Sequence, residues 1–479
     1  MAEADLKRKT AQTLKWNAVD RVATQVLYAV TGVVLANLLS KEDFGLVGVM
    51  LVFQAFAQLF VDSGFSSALI QKKSPTDSDY CTVLYFNMGI SVGIYIILWF
   101  AAPLIADFFG DPRLTALSRV MFLSFIVNAS AIVQTNRLMK QMTVGKIVAS
   151  NSIGLTISGA VGIILAIRGF GAWAIVWQTI SLAAVRSSFL WLTTGWLPRE
   201  RFSRDSLRSV VKVGTGVMTS SFLNTLSLNI YSFIIGRFCN LATLGCYTQA
   251  DKWSKMGVTS LTQILTNTFL PILSNLQNDA ERWLRAARKM NRFAAYLSIP
   301  AMLLLIAVAE PVFHILFGTK WDDAILLFQI LAARGIFVIL TSLYNHYLLA
   351  LGRSRALVVY EIVKDSIMIL AIVVTIPFGI EAIVWGQFAA AVIFYFFAIV
   401  YVARHTAYRA RHIVGDATPY AAISIILAVA AYALNSLNIS PWLILPMQLI
   451  AFAAPYILAN RLLGSTVQKD AIAYLLKRK

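Results

Sequence analysis

Apolar stretches of roughly 20 residues follow one another along the whole chain, separated by short polar breaks. A run of that length crosses about 30 Å of hydrocarbon as a helix. Lipid offers the backbone no hydrogen-bond partners, so each run must satisfy its own amides and carbonyls, which a helix does. The alternation over about 10 residues that marks a membrane barrel strand is missing. The pattern predicts an all-α integral membrane protein with about 14 spans. They fall at approximately 14–39, 43–70, 80–109, 113–136, 144–167, 171–196, 213–237, 241–276, 293–318, 322–351, 356–377, 380–403, 418–437 and 441–463. The eighth is long and polar in its first half, so a kink or an extension beyond the bilayer is expected there. The last two carry no charge at their centres.

A repeat organises these spans. FGAWAIVW at 170–177 returns as FGIEAIVW at 378–385, and the turn ending Phe44-Gly45 is matched by the one ending Leu244-Gly245. Both matches fall at equivalent turns, before spans 6 and 12 and before spans 2 and 8. An even number of spans per copy gives a parallel repeat about an axis along the membrane normal. The expected organisation is a basic cytoplasmic N-terminus (1–13), an N-lobe (14–196), a cytoplasmic linker (197–212) and a C-lobe (213–403). Spans 13 and 14 (418–463) and a basic cytoplasmic tail (464–479) follow. Two such lobes predict a central cavity and alternating access.

Charge fixes the orientation. The chain of 479 residues is 58% hydrophobic and only 13% charged, yet its formal net charge is +18. Of its 41 lysines and arginines, 29 fall on the side of the N-terminus and 5 on the other, with 7 inside spans. Basic loops stay cytoplasmic, so both ends are expected there. The excess charge is thereby assigned to anionic headgroups and not to nucleic acid. The N-terminus, MAEADLKRKT, has no cleavable-looking signal, so the first apolar stretch is expected to remain as an anchor. Cys81, Cys239 and Cys246 form no CxxC, and the four histidines form no HExxH, so no metal is expected. There is no Walker A sequence, and no cofactor is expected.

The informative residues are the ionisable groups within the spans. Arg21, Arg119, Arg186, Lys252, Lys255, Arg334 and Lys364 would each cost about 2.5–3.5 kcal/mol at a helix centre facing lipid. They must therefore face protein, water or a ligand. Arg119, near a span end, reads as a snorkelling residue. Asp251 and Lys255 are spaced to pair along one helix, as are Glu361 and Lys364. The expected cationic cavity is made by Arg21, Arg186, Lys252, Lys255, Arg334 and Lys364. Asp20, Asp62, Asp251 and Asp365 are candidates for coupling to H+ or Na+. At about 4 Å and an effective dielectric near 20, one charge pair is worth on the order of 4 kcal/mol before desolvation. Arginine grips phosphate bidentately, so a pyrophosphate headgroup suits the cavity and a cationic drug does not.

Other motifs carry little. Asp77-Ser78-Asp79 fits the DxD pattern but lies in a ten-residue loop with no fold to hold a nucleotide. The arginines of 197–212 and of ERWLRAARKMNR at 281–292 read as membrane-surface charges. Every external loop is short, which argues against a membrane glycan polymerase or ligase with a catalytic loop. No catalytic residue is expected. A purely structural scaffold would leave seven bases in the spans without a purpose.

The segment LLSKEDFGLVGVMLVFQAFAQLFVDSGFSSALIQKK at 38–73 resembles the first hairpin of the Wzx-type polysaccharide exporters of the MOP superfamily, nearest the colanic-acid exporter branch. That family shows a Pro-x-Asp/Glu-Phe/Tyr-Gly turn followed by a Gly-x-Ser-Ser-Ala end. Here Lys41 replaces the proline before Glu42-Asp43-Phe44-Gly45, and Gly64 to Gln71 supplies the end. QTNRLMKQM at 134–142 is similar to the family's turn between spans 4 and 5. The resemblance implies two six-helix lobes and flipping of undecaprenyl-pyrophosphate-linked oligosaccharide towards the outer leaflet for polysaccharide, capsule or lipopolysaccharide assembly. Membrane lipids and polysaccharide polymerases are the partners it implies. The alternative within the superfamily is an ion-coupled multidrug antiporter.

Overall fold

The computed structural model describes residues 23–62, 74–208, 229–437 and 439–469, with Trp16, Leu69, Lys72, Phe222 and Thr225 between them. Among these the regular structure is helical throughout, with no strand. Ten described stretches are long and apolar enough to cross a membrane, and one of them, Ser354–His405, is two helices in series. The protein is a multi-pass helical membrane protein. Close packing divides it into two units, Met1–Gly245 and Cys246–Lys479.

The first unit holds α1 (Ala23–Leu38), α2 (Lys41–Asp62) and α3 (Asp77–Phe109). Next come α4 (Arg113–Met121), α5 (Leu123–Ser130) and α6 (Ile132–Lys140), then α7 (Val144–Ile167), α8 (Trp173–Thr194) and α9 (229–238). Both ends of α3 follow from local sequence. Thr76 and Asp79 close a capping box, which satisfies amides that the first turn leaves free. Gly110 ends the helix in the left-handed conformation that a side chain disfavours.

Span 4 is one apolar stretch in sequence and three helices in space, broken at Phe122 and Ala131. Helix α7 carries a row of small buried residues, Ser150, Gly154, Ser158 and Gly162. Where association gains nothing from expelling water, small residues let backbones approach and gain contact. A Cβ on Gly154 would stand 3.1 Å from Leu182, and one on Gly162 would stand 3.1 Å from Gln178, so α7 and α8 lie close. On another face of α7, a Cβ at Gly159 would meet Thr31 of α1 at 2.8 Å.

Helix α10 (Leu241–Asn275) begins in the first unit and continues into the second, with Pro271 inside it. The second unit adds α11 (Ala280–Ala307), α12 (Ala309–Phe317), α13 (Asp322–Ala350) and α14 (Ser354–Thr375). A 3-10 turn then leads into α15 (Gly379–His405), α16 (Ala410–Ala433) and α17 (Pro441–Leu462). Its core gathers Trp283, Tyr344, Tyr347 and Tyr408, all fully buried. Buried phenols need partners. Tyr347 donates to the Ala287 carbonyl at 2.9 Å, and Tyr360 to that of Thr341 at 2.7 Å.

The repeated segments share local geometry. Asp43 and Ser40 cap α2 through mutual bonds, with the Asp43 amide donating to Ser40 Oγ at 3.0 Å. At the matching position of α10, the Thr243 amide donates to Asn240 Oδ1 at 2.7 Å. Gly171 and Gly379, which match in the other repeat, both take positive φ, +56° and +85°.

Candidate functional site: an arginine in an amide-lined cavity

The break in span 4 creates the site. At Ala131 the helix leaves its regular path, and the Ala131 amide donates to Asn128 O instead of the carbonyl four residues back. That frees the Val127 carbonyl, and an unpaired carbonyl in an apolar interior is costly. Two hydroxyls answer it, Ser130 Oγ at 2.7 Å from its own helix and Ser187 Oγ at 2.9 Å from α8. The second bond fixes α8 against the break and places Arg186, one residue earlier, beside it.

A cavity of about 220 Å³ opens there, lined by Gln58 of α2, Asn128, Thr135 and Asn136 of the broken span, and Arg186 and Ser187 of α8. The stem of Arg186 is held by α7, since a Cβ on Gly154 would touch its Cβ at 3.6 Å. Asn136 is 4% exposed, and its Nδ2 has no partner among the described residues. Gln134, two residues away, is fully buried with neither amide atom bonded. An unmade bond at a buried amide costs about 1–3 kcal/mol. Such groups persist where something else supplies the partner. A guanidinium among neutral amides and hydroxyls binds a phosphate with the one and sugar hydroxyls with the others.

None of the other expected bases is among the residues that line this cavity. In the second unit Lys255 binds Asp251 along α10 at 2.6 Å, as their spacing predicts. The Lys252 ammonium lies 5.4 Å from the Trp253 ring centre. Arg334, half-buried on α13, has no ion pair or hydrogen bond among the described residues. Lys364 contacts Glu361 and lies 3.8 Å from Asp365, while Glu361 also accepts from Asn345. Two carboxylates thus answer one ammonium on α14. Arg21 and Asp20 lie outside the described residues, and the side chain of Asp62 does too.

One sequence reading changes and two others gain detail. Arg119 donates to the Trp99 carbonyl at 3.2 Å and lies 4.6 Å above its ring. Of the basic residues in 281–292, Arg288 and Arg292 do not lie free on the surface but share Asp416, at 2.9 and 2.6 Å. The DxD pair is structural. Asp77 accepts from Arg137 at 2.8 Å and from Trp196 at 3.1 Å, while Asp79 caps α3 and pairs with Lys72. The amides around Arg186 were missed, although Asn128 and Asn136 stand out as polar residues within an apolar stretch.

Known proteins share both sequence and fold with the chain. It is 25% identical over 357 residues to the succinoglycan biosynthesis transport protein of Rhizobium meliloti, covering 74% of this chain and 72% of that one. It is 27% identical over 349 residues to the teichuronic acid biosynthesis protein TuaB of Bacillus subtilis, covering 71% of each. Its fold matches that of the lipid II flippase MurJ in an inward closed conformation, with a TM-score of 0.77, 13% identity and coverage of 96% of this chain and 100% of that one. A multidrug resistance MATE family transporter of the MOP superfamily, in an inward-facing conformation, follows at 0.61 and 16% identity, covering 81% and 98%. Residues 34–326 match the model of the polysaccharide biosynthesis protein family, and the chain belongs to that family.

Proposed function

We propose that this protein flips undecaprenyl-pyrophosphate-linked oligosaccharide across the bacterial inner membrane for polysaccharide export. The observation that carries the reading is the Arg186 cavity, which offers one cation and several neutral donors and acceptors within an apolar bundle. A sugar-phosphate headgroup has that mixture of groups. Relatives named for the transport or biosynthesis of succinoglycan and teichuronic acid support the substrate class. The multidrug alternative has the weaker support, because a cationic drug gains nothing from a guanidinium.

In this reading the lobes are 14–196 and 213–403, and access alternates between the two sides of the membrane with both termini cytoplasmic. Arg21, Arg334 and Lys252 are the further cations proposed to meet the phosphate. Lys255 and Lys364, which already hold carboxylates, contribute less. Asp251 and the Glu361–Asp365 pair are the described groups suited to carry a coupling H+ or Na+, with Asp20 and Asp62 beside them in the proposal.

The test is reconstitution in liposomes with a lipid-linked oligosaccharide and a leaflet-specific readout. The wild type accelerates flipping, and the combined Arg21/Lys252/Arg334 alanine variant stalls it while remaining in the membrane. Full transport by that variant overturns the extended cationic path.

A further inference from the structure

A second polar cavity lies in the other unit, where the early part of α11 meets the start of α16 and the end of α17. Asp416, 5% exposed, is the anchor. Arg288 binds it with two nitrogens, at 2.9 and 3.0 Å, Arg292 Nε at 2.7 Å, and the Tyr408 hydroxyl at 2.7 Å. One carboxylate faces two guanidiniums, so the cluster keeps one positive charge. A cavity of about 250 Å³ adjoins it, lined by Arg292, Gly415, Asp416, Asn460, Ser465 and Thr466. Ser465 Oγ, 3.2 Å from the Tyr420 hydroxyl, adds a donor on the far wall. Nearby in sequence stand Arg285, Lys289, Arg409, Arg411, Arg461 and Lys469, which make this end of the unit strongly basic.

Gly415 lines the same cavity. It sits inside a helix and is exposed, and a Cβ there would meet no atom within 4 Å, so the opening has room for a side chain or a ligand. Leu462 and Leu463, at the end of α17, are 77% and 68% exposed, as expected of side chains that face acyl chains. The charge thus stands where apolar surface gives way to basic residues, which is the depth of a phospholipid phosphate.

We propose that this cavity binds the phosphate of an anionic phospholipid, as a site separate from the transport path and independent of the flippase reading. Arg292 supplies the charge, Ser465, Thr466 and Asn460 the neutral partners, and Gly415 the room.

The experiment uses the full chain in nanodiscs of phosphatidylcholine with increasing phosphatidylglycerol, reading retained lipid by native mass spectrometry and stability by thermal unfolding. The wild type should retain phosphatidylglycerol over phosphatidylcholine by about fivefold, the scale of one basic side chain near an anionic surface. Gly415→Leu and the bulkier Gly415→Phe both fill the space, and neither adds a charge beside Arg292. Both should fold, melt as the wild type does in pure phosphatidylcholine, and lose the preference. Retention unchanged in both variants overturns the proposal. Equal protection of the wild type by inorganic phosphate alone rules out a lipid as the ligand. Displacement of phosphatidylglycerol by undecaprenyl pyrophosphate, abolished by Gly415→Leu, would assign the cavity to transported substrate and also overturn the proposal.

Discussion

Gly45 and Gly245 occupy matching positions of the repeat, and each lies against the backbone of the helix that carries the other. A Cβ on Gly45 would fall on the carbonyl oxygen of Leu241, and one on Gly245 on that of Lys41. Both residues belong to the first unit. The crossing of α2 and α10 is therefore made backbone to backbone, closer than any side chain permits.

Alanine at either position must push the helices apart. Overpacking of this kind costs about 1–3 kcal/mol, so Gly45→Ala and Gly245→Ala should each lower the unfolding midpoint in detergent. Gly93 of α3 is the control. A Cβ there meets nothing within 4 Å, and Gly93→Ala should leave stability unchanged or slightly raised. Equal melting of all three variants would contradict the close crossing.

The cavity beside Arg186 predicts a separation of transport from stability. Arg186→Ala should slow flipping about tenfold or more, the scale of a lost hydrogen bond to a charged group. Asn136→Leu removes an amide with an unbonded nitrogen, so it should slow flipping while leaving the protein as stable as before or more so. A flipping rate unchanged in both would remove this cavity from the transport path.

Asp416 predicts a large effect from a small change. Asp416→Asn keeps the shape and removes the charge that Arg288 and Arg292 share. Stranding buried partners costs about 3–5 kcal/mol. These guanidiniums are about one-third exposed, so roughly 1–3 kcal/mol is expected after solvent screening. Chemical unfolding of the two proteins side by side measures it.

Acid should loosen the turn between α3 and α4. Arg113 lies 2.7 Å from Asp111 and donates to it from side chain and backbone, holding that carboxyl below the usual carboxylate range. A depressed carboxylate stabilises the fold above its unfolded pKa, and the contribution is lost as pH falls through its lower folded value. Protection of the amides at residues 111–115, taken relative to the intrinsic exchange rate, should therefore fall on acidification below about pH 4. In Asp111→Asn that protection should already be low at neutral pH and vary little with acid.

Local spacing was legible in the sequence, and distant pairing was not. Lys255 with Asp251 and Lys364 with Glu361 follow from helical geometry alone, because residues three or four apart share a face. Asp416 and Arg288 are 128 residues apart, and no periodicity joins them. The helical membrane class was readable because hydrocarbon thickness imposes a length on each run. The break at Ala131 was not, since span 4 has neither proline nor glycine near it to mark a kink. For that reason Arg186 could be picked out as an ionisable residue in a span, and Asn128 and Asn136 as polar residues in another, but that they meet at one cavity was not readable.

The break in span 4 also bears on how such a protein diversifies. The space beside Arg186 lies where the main chain of span 4 breaks, and two serines hold the carbonyl that the break frees. Replacing Asn128, Thr135 or Gln58 would then change which hydroxyls fit while the opening itself persists. A descendant lineage could acquire a new glycan by altering the lining residue by residue, with no step that requires the bundle to be rebuilt.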